Sequence, residues 1–451
     1  MSRLKEKLAR LHRKSDTTNV EILNDSDAGH EVQSPIHEAQ AEAGTHSEGL
    51  DFSFDDPYAE KFVDQGIGLM SNEFGSFLIK RINFPATYEH GMYTLKQLQE
   101  VSSYLQHFFP DSDVKKVSID QLLFFDLETT GLGTGTGNIP FMVGLGYFSG
   151  ENYIVEQAVI RHVAEERALL AYLHRLTASY EYLVTYNGKT FDWPLMVNRY
   201  VLNGMREEIW QPKHIDLLHP SRSIWRNTLD SCRLSYIEEA RLGITRIDDL
   251  PGSEAPERYF KYLAEQNPEH LFPVYRHNEL DMLTLVSLLI RFGYLLSDHN
   301  VRDIIQLPNE PEEMIRTGLW LEKMGLTTHC ESLFEIATLL PVSYAPTLYK
   351  LSLRDKQVGN IERAILIWNK IIDSETLNIQ SKIDCCVQLA IYYEHKCKWY
   401  EEAIKYTELA INLATILLNQ FPQNNKRDFS KMNLMGELDK RLLRLTRKLG
   451  V

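Results

Sequence analysis

The stretch Gln121–Gly131, QLLFFDLETTG, constrains this chain most strongly. Leu122 to Phe125 form a continuous apolar run, the pattern of a strand buried on both faces. Asp126 and Glu128 then interrupt it. Residues i and i+2 of a strand point to the same face, so the two acids stand side by side if the strand continues. Carboxylates buried together drive one of the pair to protonate unless a cation lies between them. A hard divalent ion such as Mg²⁺ takes this kind of oxygen ligand. An isolated Asp-x-Glu is equally compatible with a strand that ends and turns into solvent at Thr129-Thr130-Gly131.

A chain of 451 residues predicts two or three domains. Its 43% hydrophobic and 24% charged residues are those of a globular protein. No apolar run reaches membrane-spanning length, and no signal-peptide pattern is present, so no membrane partner is expected. The five cysteines lack C-x-x-C spacing, which supports neither a zinc site nor a disulfide framework and fits a reducing cytoplasm. A net charge of −14 argues mildly against a protein coated with nucleic acid. A nuclease can still hold its strand in a locally basic groove.

Residues 1–59 read as a basic N-terminal segment, with Leu4, Leu8 and Leu11 at helical spacing, followed by a disordered acidic linker. Residues 60–118 read as an N-terminal extension packed on the catalytic domain. They carry a candidate strand at Phe77–Ile79 and a capping-box pattern, Thr94-x-x-Gln97, ahead of an amphipathic helix through Leu98, Val101 and Leu105. Gly131-Leu-Gly-Thr-Gly-Thr-Gly137 invites a phosphate-loop reading that fails, because no Lys-Ser/Thr comes after it and the next segment is a strand. Strands are predicted over Phe141–Phe148, Tyr153–Ile160 and Glu181–Tyr186, and a helix over Glu165–Leu176.

Two later words also carry carboxylates. Asn187-Gly-Lys-Thr-Phe191-Asp192-Trp-Pro194 comes after a strand, where Asp192 can cap a helix and Pro194 can sit in its first turn. His277-Asn-Glu-Leu-Asp281 opens an apolar helix, which puts His277 and Asp281 on one helical face. Between Asp192 and that helix, His214 and Asp216 are either second-layer groups or a strand end. Arg222, Arg226, Arg233, Arg241 and Arg246 interleave there with Trp225 and Tyr236. Such a segment is commonly a solvated face, but the mixture also suits stacking and backbone contact with a single strand.

Phe-Phe-Asp-Leu-Glu-Thr-Thr-Gly, Asn-x-x-x-Phe-Asp and the closing His/Asp helix, in this order, resemble the three motifs of the DEDD, or DnaQ-like, 3′–5′ exonucleases. The resemblance implies an α/β ribonuclease H-like catalytic domain over 119–300, a mixed central sheet flanked by helices. It implies that Asp126, Glu128, Asp192 and Asp281 hold two Mg²⁺ or Mn²⁺ ions and that His277 acts as the base. Thr129, Asn187, Arg222 and Arg226 are the candidate substrate contacts. The histidine departs from the family, because H-x-x-x-D is the spacing that a tyrosine usually has there.

From about Pro308 the chain reads as helices only. Cys330-x-x-x-Phe334 and Ala364-x-x-x-Trp368 lie 34 residues apart, and each comes five residues after a glycine, Gly325 or Gly359. A third unit centres on Ala403. This matches the word and period of tetratricopeptide repeats, so 308–451 is expected to be a tetratricopeptide-like helical domain; a plain helical bundle is the alternative. The whole pattern resembles the bacterial YprB-like, or mitomycin repair factor B-like, group. That resemblance implies a 3′–5′ exonuclease acting on DNA in repair, with a helicase as protein partner. RNA as substrate, or a catalytically weak adaptor, are the rival readings. The composition shift near Pro308 further predicts that the part before it works alone on naked oligonucleotides.

Overall fold

In a computed structural model, the structure describes residues 50–54, 57–110, 116–131, 135, 137–297, 310–341, 344–419 and 427–450. The basic segment and nearly all of the acidic linker lie outside these residues. So do residues 132–134 and 136 of the glycine loop, and 298–309.

Among the described residues ten strands form: β1 Leu50–Asp51, β2 Ile67–Asn72, β3 Gly75–Pro85, β4 Glu89–His90, β5 Tyr93–Thr94, β6 Leu122–Thr129, β7 Pro140–Ser149, β8 Asn152–Val159, β9 Tyr182–Thr185 and β10 Lys213–Asp216. Eight of them make one mixed sheet in the order β1-β2-β3-β8-β7-β6-β9-β10. Only the β6–β9 and β9–β10 pairs are parallel. Residues 60–118 join this sheet by strand pairing, β3 against β8 over Leu78–Pro85. Thr94 N–H donates to Gln97 Oε1 (2.8 Å), half of the expected box, and the helix runs only over Gln97–Val101 before tightening to a 3₁₀ form.

The apolar run Leu122–Phe125 is buried on both faces, as its composition predicts. Leu122 and Phe124 enter one core; Leu123, Phe125 and Leu127 enter the other. Asp126 and Glu128 continue the first set and share its face. A long helix, α1 (Phe272–Leu296), packs there. Gly144 on β7 stands opposite Asp126 in register and allows the close approach, because a Cβ there would collide with the Asn278 amide.

The C-terminal part is all helical: α2 Pro311–Lys323, α3 Thr327–Leu339, α4 Ala345–Val358, α5 Ile361–Asp373, α6 Ile379–Tyr392, α7 Tyr400–Asn419 and α8 Arg427–Leu449. Gly325 and Gly359 take left-handed φ of +85° and +88° between helices, where a residue without Cβ is unstrained. Lys398, at φ +59°, holds the same turn five residues before Ala403. Cys330, Phe334, Ala364, Trp368 and Ala403 are all buried. The core on the Asp126 face continues without a break through Trp225 and Phe292 into Trp320, Phe334 and Trp368. No helix among the described residues is long and apolar enough to cross a membrane.

Candidate active site

Four acids from three segments meet over the C-terminal end of β6. Asp126 and Glu128 come from β6, Asp192 from the start of the helix Asp192–Leu202, and Asp281 from the third turn of α1. Asp126 and Glu128 both feel Asp192 and Asp281. Burial, then Asp281 and Asp192, raises the Asp126 carboxyl well above the usual range. Burial, then Asp126, Asp281 and Asp192, does the same to Glu128. Burial, with Asp216 next, pushes Asp192 up to about 7.

Asp192 is the first helical residue, not the cap; Phe191 holds the cap position, and no side chain caps this helix. The expected capping role therefore does not occur, and its carboxylate is left for the cluster. Pro194 does lie in the first turn.

Residues beyond the four acids hold this cluster in place, Asn278, Gln157 and Asp249 among them unmarked by any local pattern. Asn278 Nδ2 donates to Asp126 Oδ2 (3.0 Å). Gln157 on β8 fixes that amide by donating to Asn278 Oδ1 (3.0 Å) and to the Tyr275 carbonyl (2.6 Å). Arg246 is inserted beside Asp281. Its Nη2 donates to Asp281 Oδ1, its Nε and Nη2 to the buried Glu238 (2.6 and 2.5 Å), and its Nη1 to Asp249 Oδ2 (2.8 Å). His277 Nδ1 lies 2.8 Å from Asp249 Oδ2, and its Nε2 lies 3.7 Å from Asp281 Oδ2. Burial alone would raise the Asp249 carboxyl, but Arg246 and His277 hold it below its ordinary value.

The candidate substrate contacts fall into different places. The Thr129 hydroxyl donates to the Gly131 carbonyl (2.7 Å), so its proton is committed within the loop. Asn187 is exposed with φ +66°, and its N–H donates to Asp216 Oδ1 (2.8 Å). Asp216 also accepts from the N–H of Lys189 and Leu218, so it organises the turn into Asp192. His214 bonds Thr185 Oγ1 (2.8 Å), and burial lowers it to about 4.

The five arginines separate. Arg222, Arg226 and Arg233 line a cavity of about 590 Å³ with Leu229, Asp230, Ser231 and Cys232. Arg241 pairs with Glu313, and Arg246 enters the acid cluster. The stacking reading fails for Trp225, which is fully buried.

Among the described residues no three His, Cys, Asp or Glu side chains already converge on one point as a ready metal cage. The fit to divalent ions rests on donor chemistry. Four hard oxygen donors are gathered here, Glu128 and Asp192 buried and Asp126 half-buried, and like charge raises Asp126 and Glu128. Asn278 and Arg246 each engage one oxygen of their acid, leaving Asp126 Oδ1 and Asp281 Oδ2 available.

The raised acids tie stability to pH. An acid whose folded pKa is raised favours folding only while protonated, so its burial costs stability as pH rises from the unfolded value near 4 through about 7. The gain in melting temperature of metal-free Asp192→Asn over wild type should be larger at pH 8 than at pH 5. An equal gain at both would show that Asp192 does not titrate in this range.

Residues 123–292 match the sequence profile of the RNase H superfamily. Over 395 residues the chain is 31% identical to the protein YprB of Bacillus subtilis (strain 168), covering 84% of this chain and 90% of that one. With that identity over most of both sequences, and with an RNase H superfamily region at its centre, the chain belongs to the YprB family.

Proposed function

We propose that this protein is a metal-dependent 3′–5′ exonuclease of the DEDD type, acting on DNA. The observation that carries the reading is the meeting of Asp126, Glu128, Asp192 and Asp281 at one strand end, from three distant segments. These four residues would hold two Mg²⁺ or Mn²⁺ ions. When bound, such a pair supplies an activated water and offsets charge on the scissile phosphate. Asn278 and Arg246 orient Asp126 and Asp281. His277 presents Nε2 on the side of Asp281, where it can accept a proton from the attacking water.

The strand's phosphates would occupy the arginine cavity. Arg222, Arg226 and Arg233 converge there, with Asp230 as the one acid in the lining, in a chain of net charge −14. Three such guanidiniums repel one another unless an anion lies among them. Arg316 of α2 braces this wall by donating to the Ile224 and Arg222 carbonyls (3.0 and 2.9 Å). The C-terminal helices would act as tetratricopeptide-like repeats offering a surface to a protein partner, a helicase being the one the family resemblance suggests. DNA repair would be the setting, and the cytoplasm the place.

Digestion of 5′-labelled single- and double-stranded DNA and RNA with Mg²⁺, Mn²⁺ or EDTA tests the activity. A metal-dependent ladder receding from the 3′ end of DNA supports it. An RNA-only ladder, or none, overturns the DNA assignment. Replacing Arg222, Arg226 and Arg233 together by alanine should weaken single-strand binding in EDTA. Each lost phosphate contact should flatten the salt dependence by about 0.7 in log–log slope. An unchanged slope would rule the cavity out as the phosphate site.

A further inference from the structure

Resting on the nuclease reading, we propose that Asp249 is a positioning residue for His277: it takes the Nδ1 proton in a hydrogen bond, fixes the ring, and leaves Nε2 as the basic nitrogen facing the acid cluster. No local pattern marks Asp249, which lies 28 residues before His277 on a different segment. Two arrangements compete at Nδ1. Protonated, it donates to Asp249 Oδ2 across 2.8 Å; unprotonated, it accepts from Arg246 Nη1 across 3.3 Å. The first is shorter and charge-assisted, and so the stronger bond. Arg246 Nη1 also has its own better partner in the same Asp249 oxygen, at 2.8 Å.

The anchor is stiff. Arg246 is held by two bonds to the fully buried Glu238, which accepts a further one from Thr284 Oγ1 (2.5 Å) on α1. Asp249, Arg246 and His277 therefore form a frame tied at both ends to the helix that carries Asp281. On the other side of the ring, Gly252 leaves Nε2 room; a Cβ there would stand 3.1 Å from that nitrogen, tighter than ordinary contact. The ε edge is thus left uncrowded by a side chain at 252, while the δ edge is closed by the carboxylate.

Holding an imidazole in one tautomer matters because a base protonated on the wrong nitrogen cannot accept the substrate-side proton. In the serine protease triad, replacing the orienting Asp by Asn lowers kcat by about 10⁴ through the wrong tautomer. An Asn at 249 retains the shape of Asp but can donate its amide to Nδ1, which moves the ring proton to Nε2.

The test uses full-length protein with ¹⁵N-labelled histidine, the His277 signals being assigned by their loss in His277→Gln. At a pH high enough for the ring signals to have reached their neutral plateau, metal-free wild type should show a pyrrole-type Nδ1 and a pyridine-type Nε2. Asp249→Asn should shift the proton toward Nε2 and lower kcat on a 3′-recessed or single-stranded oligonucleotide by about 10²–10⁴, with KM within a few-fold. Asp249→Glu should recover part of the rate. A neutral wild-type ring with its proton on Nε2, or an Asp249→Asn enzyme within a few-fold in kcat, overturns the proposal. A wild type that cleaves no phosphodiester overturns the nuclease reading and with it the catalytic half of this one. The nitrogen spectrum still decides which atom carries the proton.

Discussion

Asp126→Ala, Glu128→Ala, Asp192→Ala and Asp281→Ala are each expected to lose at least about 10²–10³-fold in oligonucleotide cleavage, the scale on which removing one electrostatic stabiliser disables a preorganised site. Their effects should not add. The Asp126→Ala/Glu128→Ala double variant should be no worse than the poorer single one, because groups that act as a unit fail as a unit. The metal-free melting temperatures should then separate the four. Asp126 and Glu128 lie among like charges, and deleting either relieves repulsion, so those variants should melt at or above wild type. Asp281 is paired with Arg246, and deleting it leaves a guanidinium short of a partner, so Asp281→Ala should melt lower. Near-normal activity in any two of the four would remove the cage assignment.

The four acids stand out in the sequence because each sits in a short local word. A strand that breaks on Asp-x-Glu, a strand-to-helix turn and a helix opening on His-x-x-x-Asp need no long-range knowledge to be seen. The both-faces burial of Leu122–Phe125 was legible for the same reason, from the run itself. The residues that orient the acids were not. Asn278 is unremarkable until Gly144 lets it lie on the sheet, and Gln157 acts from a third strand. Arg246 and Asp249 come from an irregular segment with no periodicity, and only tertiary placement sends one arginine of five into the acid cluster. The interleaved Trp225 misled, since an indole among arginines has the same composition whether it stacks on a base or fills a core. The third unit was read from Ala403 without its turn residue, because a lysine, Lys398, takes the left-handed conformation that glycine marks in the other two.

Truncation before α2, near residue 309, is expected to yield insoluble or much less stable protein. The composition shift at Pro308 suggests an independent front half, but the packing across that point is continuous. Trp225 is fully buried and stacks on Phe292 (5.4 Å between centroids), and Phe292 in turn meets Trp320 of α2 (5.6 Å). The Trp225 indole N–H donates to Glu313 Oε1 (2.8 Å), and Arg241 donates to the other oxygen of the same carboxylate (2.7 Å). Cutting here exposes aromatic surface worth about 1.5–3 kcal/mol per side chain and strips the partners from buried polar groups at about 1–3 kcal/mol each. Several such losses approach the whole of a domain's marginal stability, about 5–15 kcal/mol. Trp320→Ala in the full chain isolates part of the effect and should cost about 3–5 kcal/mol, the range for emptying a large aromatic site. Expression and thermal melting of the truncated protein, and chemical denaturation of Trp320→Ala, measure both. A soluble truncated protein that melts cooperatively within a few degrees of full length would show that the front half closes its own core, and that the helices beyond it serve a partner alone.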